Sequence, residues 1–165
     1  MSHLVLSFVA PDRTGLVETL SNIVKTHQGN WQASSMHHMA GSFAGVIEIS
    51  VNSDKVDAII ADVNNIDDIN AVFRQSEVQS STQAPNLVLE LTANDRTGIV
   101  QEISSTIHQQ GGNLLKLVSS PESAAHSGQT LFKAKATITV SEQNVESLID
   151  SLENLADDLM VDISR

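Results

Sequence analysis

Apolar and polar residues alternate at the start of the chain, with Leu4, Leu6 and Phe8 on one side and Val5 and Ser7 on the other, until Pro11 stops the run. A period of two predicts a strand with one buried face. The period then changes. Leu16, Val17, Leu20, Ile23 and Val24 recur at helical spacing and give one apolar face on a helix. Gly29 follows as the expected helix terminator, since glycine tolerates the left-handed cap conformation. Trp31 to Met39 and Ser42 to Val51 read as two strands joined by a turn at Ala40-Gly41. Val56, Ile59, Ile60 and Val63 mark one face of a second helix, and Ile69 to Val78 closes the unit as a strand.

The same order then recurs. Leu87, Leu89 and Leu91 predict a strand, Ile99, Val100, Ile103 and Ile107 a helix face, and Gly111-Gly112 its end. Asn113 to Ser120, Phe132 to Val140, a helix with Val145, Leu148, Ile149 and Leu152 on one face, and Leu159 to Ile163 complete the second set. Asp12-Arg13-Thr14-Gly15 returns as Asp95-Arg96-Thr97-Gly98, and Gly29-Asn30 as Gly112-Asn113, at one offset (95 − 12 = 83). Later positions match at a larger offset (140 − 51 = 89), which predicts an insertion within Pro121 to Gly128. An internal repeat governs the architecture before any single residue is interpreted. We read domains at 1–80 and 86–165 with a linker at 81–85, inside the polar stretch Gln79 to Pro85. All three prolines are expected outside regular elements.

Strand, helix, strand, strand, helix, strand predicts an α+β fold: two tandem ferredoxin-like βαββαβ domains. Each has a four-stranded antiparallel sheet, helices on one face, and the first and third strands side by side. A copy of about eighty residues buries only a modest share of its surface, and its sheet edges are open to pairing, so a homodimer is among the expected assemblies.

Composition narrows the function. The net charge is −11, and neither half carries a basic stripe: 1–83 has four Lys/Arg against nine Asp/Glu, and 84–165 five against eleven. Nucleic-acid binding rests on phosphate neutralisation, so direct DNA binding is not expected. With no cysteine, thiolate zinc sites, disulfides and Cys nucleophiles are excluded. No signal-peptide pattern and no membrane-length apolar run occurs, and a cytoplasmic location is expected.

The repeated motifs hold the candidate chemistry. First-turn amides at a helix start lack intrahelical partners and carry partial positive charge. A carboxylate can dock there, beside Gly15 or Gly98, as anions do at helix N-termini. Asp12 and Asp95 are candidates to accept from a ligand ammonium, and Arg13 and Arg96 to pair with a carboxylate. Thr14 and Thr97 share the loops, and Asn30 and Asn113 could bond either end of an amino acid. Structural readings stand beside each: aspartates capping helices, glycines serving a turn or close approach, asparagines suiting a turn, arginines paired with a nearby acid. Pro11 becomes Asn94 in the second copy, so the loops are not chemically identical.

Other chemistry is thinner. His37-His38 sit next to each other on a strand, point to opposite faces and do not readily chelate one ion. Asp67-Asp68 and Asp157-Asp158 read as solvated turn residues rather than a calcium loop. No Gly-x-Ser-x-Gly turn, His-Glu-x-x-His helix, phosphate-binding glycine loop or dinucleotide fingerprint is present. No enzyme, cofactor or metal is expected.

An Asp-Arg-Thr-Gly turn between the first strand and first helix, then Gly-Asn before the second strand, resembles the ACT domain, a regulatory module that binds amino acids. Two in tandem with no enzyme attached, over about Leu4 to Ile163, resemble the glycine cleavage system transcriptional repressor family. That resemblance implies amino-acid sensing, glycine foremost, and modulation of transcription through a partner activator protein without contact to DNA. The alternative is a ligand-free interaction module or an accessory regulatory subunit of a metabolic enzyme.

Overall fold

The computed structural model describes residues 1–77 and 84–164. The chain divides into two compact units, Met1–Ser81 and Thr82–Arg165, so the boundary between them and residues 81–83 of the linker expected at 81–85 lie outside the described residues. Unit 1 runs β1 (Ser2–Pro11), α1 (Leu16–Thr26), β2 (Asn30–Met39), β3 (Ser42–Val51), a single 3-10 turn, α2 (Val56–Asn64) and β4 (Asn70–Ser76). Unit 2 repeats it as β5 (Leu87–Asn94), α3 (Ile99–Gln109), β6 (Asn113–Ser123), β7 (Thr130–Thr139), a 3-10 turn, α4 (Val145–Glu153) and β8 (Met160–Ser164). Val78, expected to end β4, lies outside the described residues.

Both sheets are antiparallel, ordered β2-β3-β1-β4 and β6-β7-β5-β8, which is the ferredoxin-like arrangement expected from the element order. The period-two strands sort their faces as alternation requires. Leu4, Leu6 and Phe8 of β1 are buried with Ile47, Ile49 and Val51 of β3 under Leu16, Leu20 and Val24 of α1 and Ile59 and Val63 of α2. In unit 2, Leu89 and Leu91 of β5 and Ala136 and Ile138 of β7 lie under Ile103 and Ile107 of α3 and Leu148 and Leu152 of α4. Each unit thus has its own core on one sheet face, and its own helices leave the other face bare. Among the described residues, no helix is long and apolar enough to cross a membrane.

Three local expectations need correction. Gly29 does not supply the left-handed residue after α1. Gln28 does, at φ 58°, and only in unit 2 does glycine take that position, as Gly111 at φ 73°. Gly29 answers to space instead: a Cβ there would sit 3.1 Å from Val24 Cγ1 and 3.2 Å from Ile49 Cγ2, while its N–H donates to the Val24 carbonyl at 2.9 Å. The glycine is needed because the helix end closes onto β3.

The insertion is also shifted relative to the segment Pro121 to Gly128, lying between Glu122 and Leu131. Glu122 pairs with Leu131 and Ser123 with Thr130, so β6 and β7 simply continue, and the added residues lie at the hairpin tip where unit 1 has Ala40-Gly41. Finally, two prolines lie inside strands. Pro11 is the last residue of β1, and Pro121 lies within β6. β6 is an edge strand, where a missing N–H need not break the ladder.

Candidate functional site

Each Asp-Arg-Thr-Gly loop leaves a central strand and enters a helix through a left-handed glycine, Gly15 at φ 84° and Gly98 at φ 88°. Those glycines are the N-caps. No side chain caps either helix, so Asp12 and Asp95, three residues earlier, do not play the capping role considered for them. No atom lies within 4 Å of a Cβ built on Gly15, so backbone conformation, not space, selects glycine there. The Gly15 carbonyl accepts the Thr19 N–H at 2.9 Å and its hydroxyl at 3.0 Å. The loop residues Asp12 to Gly15 and Asp95 to Gly98 are exposed, and among the described residues no side chain partners the first-turn amides, as an anion site requires.

The β2–β3 and β6–β7 hairpins brace these loops. Asp12 N–H donates to the Gly41 carbonyl at 3.3 Å, and Asp95 N–H to the Thr130 carbonyl at 3.0 Å. Among the described residues only unit 1 adds a side-chain tie between hairpin and loop, His38 Nε2 to Asp12 Oδ2 at 3.2 Å. His38 was read only as half of a histidine pair. Its neighbour His37 turns to Ser35 Oγ at 3.2 Å.

The two loops differ most at the arginine. In unit 2, Arg96 Nη1 and Nη2 donate to Glu102 Oε1 and Oε2 at 2.9 and 2.5 Å, a bidentate pair. The guanidinium holds the Glu102 carboxyl below its ordinary range, first through these hydrogen bonds and then through its charge. A carboxyl pKa lowered by folding contributes stability above the unfolded value and loses it as pH falls through the folded one, so this pair weakens on the acid side of the usual carboxylate range. Asp158 adds a further charge near Arg96, and its Oδ2 accepts the Asn94 N–H at 2.6 Å.

Unit 1 lacks both ties. Thr19 stands where unit 2 has Glu102, and Pro11, with no N–H, stands where it has Asn94. Among the described residues, Arg13 makes no ion pair and Asp68, the counterpart of Asp158, accepts no such bond. The first loop therefore presents an uncommitted guanidinium beside uncapped amides, while the second has its arginine occupied from within. Glu102 and Asp158 were not singled out as partners from sequence. The signal for Glu102 was available, an acid in the first turn of the helix that follows the arginine.

Asn30 and Asn113 do not join these loops. Asn30 stands opposite Ser50 on β3, whereas Pro11 and Met39 both stand opposite Ser42 at the far end. Eight rises of about 3.3 Å separate those levels, roughly 25 Å. A free amino acid touches one end of a unit or the other. Asn113 lines a shallow depression with Asn86, Gly111 and Val140. There the Asn86 side chain takes the Val140 N–H on Oδ1 at 3.0 Å and donates Nδ2 to the Val140 carbonyl, imitating a strand neighbour.

No protein-family model and no curated protein matches the chain. Solved structures do. A protein of Galdieria sulphuraria described as unknown superposes with a TM-score of 0.82 at 21% identity, covering 99% of this chain and 98% of that one. Another, described provisionally as a glycine cleavage system transcriptional repressor, gives a TM-score of 0.71 at 16% identity, with 99% and 98% covered. At those identities the likeness concerns chain path, and it runs the full length of both partners. The chain has the tandem ferredoxin-like fold of these two structures.

Proposed function

We propose that this protein is an amino-acid sensor related to the glycine cleavage system transcriptional repressors, taking glycine foremost and acting on transcription through a partner protein in the cytoplasm. The observation that carries the reading is the Asp12-Arg13-Thr14-Gly15 loop, with uncapped first-turn amides and a free Arg13. The ligand carboxylate docks on those amides and on Arg13, and its ammonium on Asp12 or Asp68. Charge-assisted bonds of this kind are among the stronger polar contacts. Asp95, Arg96, Thr97 and Gly98 form the second loop, in which Glu102 occupies the place of a ligand carboxylate. Asn30 and Asn113 stand outside this site.

Support for the regulatory half is the full-length likeness to a structure of that description, together with a net charge of −11 that disfavours DNA. A second reading, a ligand-free interaction module, gains from the self-satisfied loop of unit 2.

Titration calorimetry with glycine, serine and larger amino acids separates these readings. Glycine is expected to give saturable heat in the wild type. Arg13→Ala is expected to weaken it about tenfold or more, the worth of one charged hydrogen bond, with Arg96→Ala changing it far less. No heat and no thermal shift with any amino acid at millimolar concentration would overturn the sensor reading.

A further inference from the structure

The outward sheet faces of the two units carry opposite chemistry. In unit 1 the register lays out three rows across β3, β1 and β4: Glu48–Val5–Arg74, then Val46–Ser7–Val72, then Ala44–Val9–Asn70. Val5, Val9, Val46 and Val72 are 38%, 48%, 47% and 72% exposed, all on the face away from the helices. The same rows in unit 2 read Thr137–Val88–Ser164, Lys135–Glu90–Asp162 and Lys133–Thr92–Met160. Positions holding Val46, Ser7, Val72 and Ala44 in the first copy therefore hold Lys135, Glu90, Asp162 and Lys133 in the second. One fold accepts charge at these four places, so nothing internal to the fold keeps them uncharged in unit 1.

We propose that this face of unit 1 packs on the same face of a second copy of the chain. The rows are self-complementary about a two-fold axis along β1. That operation lays β3 over the partner's β4, so Val46 meets the partner's Val72, valines of β1 meet their own counterparts, and Glu48 meets the partner's Arg74. Arg74 has no acid partner among the described residues, and Glu48 is shared only with His3 Nδ1 at 3.0 Å. An isologous contact of this kind closes as a dimer, and sheets packed face to face cross at a modest angle set by their twist. From strand spacing and rise the patch covers about 300 Å² per copy. The total of about 600 Å² belongs to weak, reversible associations, so the dimer forms and dissociates with concentration.

Sedimentation equilibrium of the full chain, run without amino acid, tests this independently of the ligand reading. The expected result is a monomer of 17.7 kDa in exchange with twice that mass. Val72→Asp, which installs the side chain unit 2 already carries as Asp162, shifts the balance to monomer with an unchanged circular dichroism spectrum. Glu48→Arg and Arg74→Glu each weaken association about tenfold, and the double reversal restores it. A wild type monomeric at all concentrations, a Val72→Asp variant as dimeric as wild type, or a double reversal that fails to restore association would each overturn the proposal.

Discussion

Replacing Leu6 by Ala is expected to lower the unfolding free energy by about 3 kcal/mol, whereas Ser7→Ala, one residue on, changes it by no more than about 0.5 kcal/mol. Leu6 is 1% exposed in the centre of the unit 1 sheet, opposite Ile47 on β3 and Phe73 on β4. Removing its isobutyl group forfeits transfer energy and leaves a cavity that strands pinned on both sides cannot close. Ser7 points to the other face, where its side chain meets solvent. Trp31 is the chain's one tryptophan and packs against the same core, so its fluorescence in a urea titration reports this unit. Similar losses for the two variants would mean that the sheet faces are assigned the wrong way round.

A second pair of neighbours is expected to respond with opposite signs. Gly29→Ala brings a methyl to 3.1 Å from Val24 Cγ1 and 3.2 Å from both Ile49 Cγ2 and the Val24 carbonyl. Overpacking of this kind costs about 1–3 kcal/mol. Gln28→Gly relieves a side chain held at φ 58° and should add about 0.5–1 kcal/mol, the conformation unit 2 already entrusts to Gly111. The same fluorescence titration measures both. A destabilised Gln28→Gly would show that its side chain matters more than its backbone.

Those two residues also show what the sequence could and could not disclose. The repeat, the alternating strands and the one-faced helices were legible because they follow from local spacing. In Gly29-Asn30 the glycine was noticed, but its reason was not. Left-handed conformation and lack of room both select glycine, and only the approach of Val24 and Ile49 tells them apart. Pro121 was placed outside any strand because its missing N–H forbids a central position. The structure puts it on the edge strand β6, and edge status depends on the whole sheet order.

The candidate site was half legible. Asp12 to Gly15 and Asp95 to Gly98 are contiguous, so each loop is assembled by the chain itself. Asn30 and Asn113 were grouped with them through motif recurrence. Yet α1 spans eleven residues, about 16 Å, and carries the chain from one end of the sheet to the other, so residues flanking it lie at opposite ends. Partners from other elements were out of reach: His38 arrives on the β2–β3 hairpin, and Asp158 from the turn before β8. The difference between the copies, a free Arg13 against an engaged Arg96, rests on Thr19 and Glu102, which a motif-level comparison passes over.

The central claim is that the first loop, not the second and not the asparagine end, receives an amino acid. Amide mapping by nitrogen-15 NMR during a glycine titration tests it most directly. The account predicts the largest shifts at the amides of Gly15, Leu16 and Val17, with little change at Gly98 and Ile99. Shifts confined to Asn30 and Asn113, or none at either loop in millimolar glycine, would contradict it.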